Sequence, residues 1–395
     1  MLSGSEGLSS PSKEAYSALT MSVPIHDFAF SLTAANDDED LRVQLIKYFK
    51  TDELSAPGKS ELVDATSDVM TLVIQQARSL YVCEPERLVG AISASSTANA
   101  LAVWSRTRLD WIVISEGLME LLRDAADDMG RRFVKAFPEL VDSQIWQCLQ
   151  GKPPLKGGFQ TTLGSLLYFA AITFFAGHEA GHHLDGHDGY FVKGSHAEAP
   201  NDPPDQSVAP RLTDQALERE ADWIGLTICR ISMIKLLSNL WEVREFNEAE
   251  RQSYQRSIAA LLCAGAMMAV MKITPSEIDW TEIPGRSHPP AVVRILNLAT
   301  TLSRAIKENF GDLDDVSRRW IRLMCMEVAV GATIKPGTDV DRVYQERIAR
   351  GGEPAAIRAV GIRKAIHDPQ LAQYNEALST SLQGIKPLLR PRKRV

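Results

Sequence analysis

Apolar residues recur at helical spacing over most of this chain, with polar residues between them. Segments with this period run over residues 41–81, 213–237, 247–272 and from residue 290 to the end with brief interruptions. Residues 200–210 are instead rich in Pro and Asp and predict a loop, within a longer connection from 184 to 212. The pattern therefore predicts a mainly helical protein.

One short part of the chain has the pattern of a sheet. Asn99-Ala-Leu-Ala-Val-Trp104 and Asp110-Trp-Ile-Val-Ile114 are apolar runs separated by four polar residues, which is typical of a β-hairpin. Ser115 can then cap a helix that continues through Leu122. We therefore predict an α+β fold of mainly helical composition with one small sheet.

Two apolar runs, at residues 163–177 and 258–271, lack charged residues. Each is shorter than the ~20 residues that span a bilayer. We therefore interpret both as buried core helices and predict no stable membrane insertion.

The ends of the chain differ from its middle. Residues 1–40 are polar and finish in an acidic run at 37–40, which suggests a mobile leader or a peripheral extension. The sequence predicts one catalytic domain over 41–310 and a helical extension over 311–395, whose basic residues at 390–394 are interpreted as a solvated tail.

Composition restricts the partners and the compartment. A net charge of −7 and a pI near 5.7 argue against a nucleic-acid partner, because phosphate binding needs a basic surface. The five cysteines include no C-x-x-C pair, so they are expected to be buried thiols in a reducing compartment. The first residues lack the features of a signal peptide, and the sequence therefore predicts a cytoplasmic protein. The oligomeric state is left open.

The strongest chemical signal is His178-Glu-Ala-Gly-His182 at the end of an apolar helix. Residues four apart share a helix face, so His178 and His182 can direct their imidazoles at one metal ion. Glu179 lies about 100° round the helix, where a general base for an attacking water is needed. The motif predicts a zinc centre of the metallopeptidase kind, with one Zn²⁺ per chain.

A third ligand is expected further along the chain. Where some zinc peptidases place a glycine and a third histidine, this chain has Asp185 and Asp188. The other known solution takes a glutamate from a later helix, and Glu218 stands there with Asp222 four residues on. Glu218 is predicted to bind the metal and Asp222 to accept the free N–H of a ligand histidine, with Glu220 pointing elsewhere.

H-E-x-x-H followed by E-x-x-A-D resembles the gluzincin peptidases of the HtpX and CAAX-prenyl endopeptidase type. Three further elements are similar to that family in the same order: Asn99-Ala-Leu-Ala, Ile112-Val-Ile-Ser-Glu-Gly-Leu118 and His288-Pro-Pro-Ala-Val-Val-Arg-Ile295. The resemblance implies a zincin-like domain that hydrolyses protein or peptide substrates.

The resemblance also implies roles for these elements. An edge strand at Asn99–Val103 would pair with an extended peptide, so that the substrate contacts Asn99, Ala100, Leu101 and Ala102. His288 or Arg294 would face the substrate or the reaction intermediate. Alternatively, Arg294 only pairs with an acidic residue and holds its helix in place.

Three functional hypotheses follow from these residues. The first is a zinc-dependent endopeptidase that uses Glu179 as its base. The second is a narrowly specific protease that stays latent until a partner or signal moves the 184–212 loop. The third is a catalytically idle protein that keeps zinc for a regulatory role.

Several other residues are predicted to have no catalytic role. We expect polar loop positions for His183, His187 and His196, and core positions for Trp223 and for Met267, Met268 and Met271.

Overall fold

A computed structural model describes residues 34–81, 84–107, 109–136, 155–189, 195–197, 211–241, 247–273, 286–310, 342, 346 and 369–389. Within these residues the protein is mainly helical and contains one small sheet, as the hydrophobic pattern predicts. The basic tail at 390–394 and most of the predicted leader lie outside the described residues.

Eight helices are described, together with short 3₁₀ turns at Pro85–Arg87, His187–Gly189 and Lys386–Leu388. They are α1 (Glu39–Phe49), α2 (Glu61–Leu80), α3 (Glu116–Ala136), α4 (Thr162–Leu184), α5 (Leu212–Trp241), α6 (Glu248–Ile273), α7 (Ala291–Phe310) and α8 (Pro369–Ile385).

Polar side chains just ahead of the helices explain where several of them begin. Ser60 caps α2 by accepting from the amide of Val63, and Thr161 caps α4 by accepting from Gly164. The predicted cap at Ser115 is confirmed, because its hydroxyl accepts from the amide of Leu118 at 3.2 Å.

The sheet has four strands in the order β1-β3-β2-β4. The strands are β1 (Leu88–Ser93), β2 (Ala100–Trp104), β3 (Asp110–Ser115) and β4 (Ser195–Ala197). The predicted hairpin is confirmed, since β2 and β3 pair antiparallel, whereas β1 runs parallel to β3.

The prediction that β2 lies at the edge of the sheet is wrong for this structure. β4 pairs antiparallel with β2, in the register Leu101↔Ala197, Ala102↔His196 and Val103↔Ser195. Asn99 itself lies just before the strand. The added strand comes from the connection between α4 and α5, whose polar sequence gave no strand pattern, so the sequence could not indicate it.

Helix α4 lies at the centre of the protein, and its residues 163–184 are all buried. Alternation along the strands gives the sheet two apolar faces. One face, with Leu88, Ile92, Ala100, Ile112 and Ile114, belongs to the main core with α2, α3 and α4. The opposite face packs against α1 through Leu41, Leu45 and Phe49.

The acidic run at 37–40 is in contact with the rest of the fold. Asp38 is buried and caps α1, and its carboxylate also accepts hydrogen bonds from Ser105, Thr107 and Trp111. These bonds fasten the start of α1 to the β2–β3 connection and to β3. Spacing along the sequence gives no indication of such long-range partners.

Small residues allow α4 and α5 to approach closely. A Cβ added at Gly225 on α5 would lie 2.8 Å from the carbonyl oxygen of Phe174 and 3.0 Å from the amide nitrogen of His178. A Cβ at Gly181 on α4 would lie 3.0 Å from the Cα of Ala221. This contact brings the helix that carries the two histidines against the helix that carries Glu218.

The predicted core positions have mixed outcomes. Met267 and Met268 are buried as predicted, and so are Cys229 and Cys263, the two cysteines within the described residues. The expectation for Trp223 is wrong, because this side chain is 48% exposed. No helix within the described residues is long and apolar enough to cross a membrane.

Candidate metal centre

His178 and His182 present their Nε2 atoms to the same point beside α4. The two atoms lie 3.2 Å apart, and both side chains are fully buried. This geometry follows from helical spacing, since the residues are four apart on one face. The structure therefore brings together the first two predicted ligands.

Glu218 reaches the same point from α5. One of its carboxylate oxygens lies 3.3 Å from Nε2 of His178, and the other lies 3.2 Å from Nε2 of His182. Ligand atoms of the three residues all lie within 4.8 Å of one another. Glu220 is half-buried and does not belong to this group.

These separations fit a metal ion. Ligand atoms about 2.0–2.1 Å from a tetrahedral ion stand about 3.3 Å from one another. The two Nε2 atoms are 3.2 Å apart, and each lies 3.2–3.3 Å from one of the two oxygens of Glu218. Two imidazoles and a carboxylate are also a donor set that zinc accepts, and they leave a fourth position open. His178, His182 and Glu218 can therefore hold a metal ion with little rearrangement.

Asp222 supports the first histidine. Its carboxylate lies 3.0 Å from Nδ1 of His178, so His178 can donate that proton and keep Nε2 free for a metal. Burial raises the pKa of Asp222. The charge of Arg294 and the hydrogen bond to His178 lower this pKa by a larger amount, so it lies below its ordinary value. Asp222 therefore remains a carboxylate, as its predicted role requires.

Arg294 is bound to Asp222 from α7. Its Nε and Nη2 donate to the two carboxylate oxygens at 2.9 and 2.7 Å, and the side chain is only 1% exposed. This is the ion pair that the sequence left open as the alternative to a contact with the substrate. A guanidinium held in this way fixes Asp222 and, through it, the ring of His178.

His288 approaches the centre from the segment before α7. Its Nε2 lies 3.1 Å from an oxygen of Glu218, and its Nδ1 lies 2.8 Å from the hydroxyl of Ser287. If Ser287 donates to Nδ1, Nε2 carries the proton and points into the site as a donor. The structure thus brings His288 to the metal centre, as the resemblance implied.

Two histidines expected in a polar loop are buried instead. His183 belongs to α4 and contacts the carbonyl oxygen of Trp111 through Nε2 at 3.0 Å. The Nδ1 of His187 lies 2.7 Å from Nδ1 of His182. When Nε2 of His182 faces a metal, the Nδ1–H of His182 can donate to His187. His187 then accepts the hydrogen bond of a ligand histidine, as Asp222 does for His178.

Glu179 follows the first ligand on α4 and is completely buried. Its position on the helix, about 100° from His178, places it beside the ligand group and not within it. The arrangement of three ligand atoms with an adjacent carboxylate suits the activation of a water molecule.

The centre is closed to solvent in this structure. His178, Glu179, His182 and Glu218 have no exposed surface, and His288 is 9% exposed. Leu101 and Ala102, which were expected to contact a substrate, are paired with both β3 and β4, whereas Ala100 is paired with β3. The predicted substrate strand is therefore present but covered by β4.

Comparisons with protein-family models, with curated proteins and with solved structures find no match to this chain.

Proposed function

We propose that this protein is a zinc-dependent endopeptidase. The observation that carries the proposal is the convergence of His178, His182 and Glu218, with Glu179 next to them on α4. Two imidazoles and one carboxylate leave an open position for a reactant, whereas closed structural zinc sites use four protein ligands.

When bound there, zinc supplies a Lewis acid that polarises a carbonyl group and acidifies a water molecule. Glu179 takes the proton from the attacking water and returns it to the leaving amine. Glu179 is completely buried, so its carboxylate is kept away from bulk water beside the ligand group.

His288 and Arg294 have different roles in this proposal. Nε2 of His288 is close enough to the centre to donate to the oxyanion that develops on the substrate carbonyl. Arg294 is committed to Asp222 and acts on the orientation of His178. We therefore assign oxyanion stabilisation to His288 alone.

Once β4 has been displaced, a protein substrate would bind as an extended strand beside β2. Antiparallel pairing with the backbone of Leu101, Ala102 and Val103 is already made there by β4, so the geometry accepts a strand in this orientation. Pairing through the backbone would hold the scissile bond in place with little dependence on side chains.

The proposal is tested with the Glu179→Gln variant, with Glu220→Gln as the control on a neighbouring helix. We expect Glu179→Gln to bind one zinc ion and to lose hydrolysis of a peptide library, because an amide cannot accept the proton of water. Glu220→Gln should retain both properties. Zinc is measured by elemental analysis and cleavage by mass spectrometry.

Two outcomes would contradict the proposal. Cleavage at the wild-type rate by Glu179→Gln would exclude this residue as the base. A wild-type protein that binds zinc but cleaves nothing, even after β4 has been displaced, would favour the idle regulatory hypothesis.

The latent protease is a second candidate, and one observation favours it. The strand position beside β2 is occupied by the protein's own residues 195–197, while the ligands and Glu179 are buried. Under this hypothesis the described structure is the inactive form, and a partner or signal must remove β4 before a substrate can enter.

A further inference from the structure

Helix α8 packs against α5 and α7. Its residues Tyr374, Leu378, Leu382 and Ile385 form a separate apolar cluster with Ala216 and Leu217 of α5 and Val293 of α7. The two helices that α8 covers carry Glu218 and Arg294. The far end of the chain is thus in contact with the elements that build the site.

Gln215 lies between α8 and the segment that carries His288. It is fully buried on α5, one turn before Glu218. Its Nε2 donates to the carbonyl oxygen of Arg286 at 2.7 Å, and its Oε1 accepts from the hydroxyl of Tyr374. Both ends of this amide are therefore used.

Only one orientation of the Gln215 amide satisfies both neighbours. The carbonyl of Arg286 needs a donor, so the NH₂ group must face it and Oε1 must face Tyr374. The hydroxyl of Tyr374 must then donate. Burial raises the pKa of this phenol, which keeps the donated proton in place.

The segment that carries His288 is consequently held to α5 at two points. Gln215 binds the carbonyl of Arg286, and Glu218, three residues further along the same helix, lies 3.1 Å from Nε2 of His288. Pro289 and Pro290 follow at once and restrict the backbone on the other side. Removing the contact at Gln215 would remove one of these two contacts between the segment and α5.

We propose that Tyr374 is a positioning residue for His288, which it holds in place through the amide of Gln215 and the backbone of Arg286. This role rests on the proposed function as far as catalysis is concerned. A positioning role requires that loss of the hydroxyl alone loosens the segment at 286–288 and lowers turnover, while the metal ligands stay intact.

The test compares Tyr374→Phe with Ser379→Ala, a control on the same helix. Ser379 accepts from Arg219 at 3.3 Å, so its removal weakens the docking of α8 without touching Gln215. We expect Tyr374→Phe to lower kcat about 10-fold or more with little change in KM, because misplacement of a catalytic group is costly. Zinc content should equal that of the wild type, and Ser379→Ala should behave as the wild type.

Amide hydrogen exchange gives a second measurement that does not depend on activity. The amides of Ser287 and His288 should exchange faster in Tyr374→Phe than in the wild type or in Ser379→Ala. Gln215→Leu removes the middle of the chain of contacts and should reproduce both effects.

Unchanged exchange at Ser287 and His288 in Tyr374→Phe would overturn the inference, and so would an equal loss of kcat in Ser379→Ala. If the zinc-loaded wild type hydrolyses no peptide, the proposed function fails. Hydrogen exchange then still decides whether Tyr374 holds the segment at 286–288.

Discussion

At the scale of single residues, the two ligand histidines are supported by different partners. His178 contacts Asp222, whose carboxylate is in turn bound by Arg294. His182 contacts His187, which is a neutral imidazole when its Nδ1 accepts a hydrogen bond. The carboxylate makes His178 the more basic ligand, so the two imidazoles are expected to hold a metal unequally.

The role of His187 leads to a prediction. We expect His187→Leu to weaken zinc binding about 10- to 100-fold, because the orientation and tautomer of His182 are no longer fixed. His183→Leu is the matched control, since this buried neighbour contacts the carbonyl of Trp111. It should lower the melting temperature and leave zinc affinity unchanged. Competition with a chromophoric chelator measures the affinity, and equal weakening in both variants would contradict the assigned role.

The sequence predicted much of the site at this scale, and the missed part has a physical cause. His178 and His182, and likewise Glu218 and Asp222, are related by spacing along one helix, which a sequence displays directly. That Glu218 joins the histidines was expected from the known arrangement of such zinc sites. The contacts of Asp222 with Arg294 and of His182 with His187 depend on how α7 and the turn after α4 fold back. The residues that such contacts join cannot be read from spacing.

At the scale of elements, the contact between α4 and α5 sets the distance between the ligands. We expect Gly225→Ala to destabilise the protein by about 1–3 kcal/mol, because the new methyl group would meet the backbone of α4. Zinc affinity should fall as well, since Glu218 would move away from the histidines.

Gly384→Ala is the control for this substitution. It lies in α8 with nothing within 4 Å of the added Cβ, so alanine should be neutral or stabilise by up to about 1 kcal/mol. Urea denaturation and metal titration measure both effects. A Gly225→Ala protein with wild-type stability and zinc affinity would contradict this prediction, because α4 and α5 could then move apart without disturbing the ligand group.

Asp38 gives a second prediction for an element, the attachment of α1. Burial raises the pKa of Asp38. Hydrogen bonds from Ser105, Trp111 and Thr107 together lower this pKa by a larger amount, so it lies below its ordinary value. A lowered pKa stabilises the fold above the unfolded pKa of about 3.9 and ceases to do so as pH falls through the folded value.

We therefore expect Asp38→Asn to lose about 2–3 kcal/mol at pH 7, where the wild type keeps a charged acceptor for these bonds. The difference between the two proteins should shrink as the pH falls below about 4. Asp37→Asn is the control, because Asp37 is exposed. Urea denaturation at a series of pH values measures the difference, and a difference independent of pH would contradict the account.

At the scale of the whole molecule, the class of fold and the hairpin followed from the periodicity of apolar residues. The pairing of β4 with β2 did not, because a three-residue strand has no detectable period. The docking of α8 on α5 joins residues more than 150 positions apart, as in the contact of Arg219 with Asn375. The sequence thus indicated the elements better than their assembly.

The position of β4 leads to the last prediction. Replacing residues 195–197 with Pro-Gly-Pro removes backbone donors that pair with β2, since proline has no N–H. We expect faster cleavage of short peptides and little loss of stability. The double substitution Ser195→Ala and His196→Ala is the control, because it keeps the backbone and should stay near the wild-type rate. Equal rates in all three proteins would leave the latent form without support.

Because β4 belongs to the same chain as β2, it competes with any substrate strand at a fixed local concentration. Backbone pairing over three residues contributes on the order of a few kcal/mol, so the open form would be about 0.1–10% populated. The apparent dissociation constant of any peptide that needs this strand position then rises about 10- to 1,000-fold. A short free peptide competes poorly with β4 because its apparent dissociation constant is raised. A protein that is also bound at a second surface presents its strand at roughly millimolar effective concentration. Avidity, more than the residues around the scissile bond, would then select the substrates of the proposed endopeptidase.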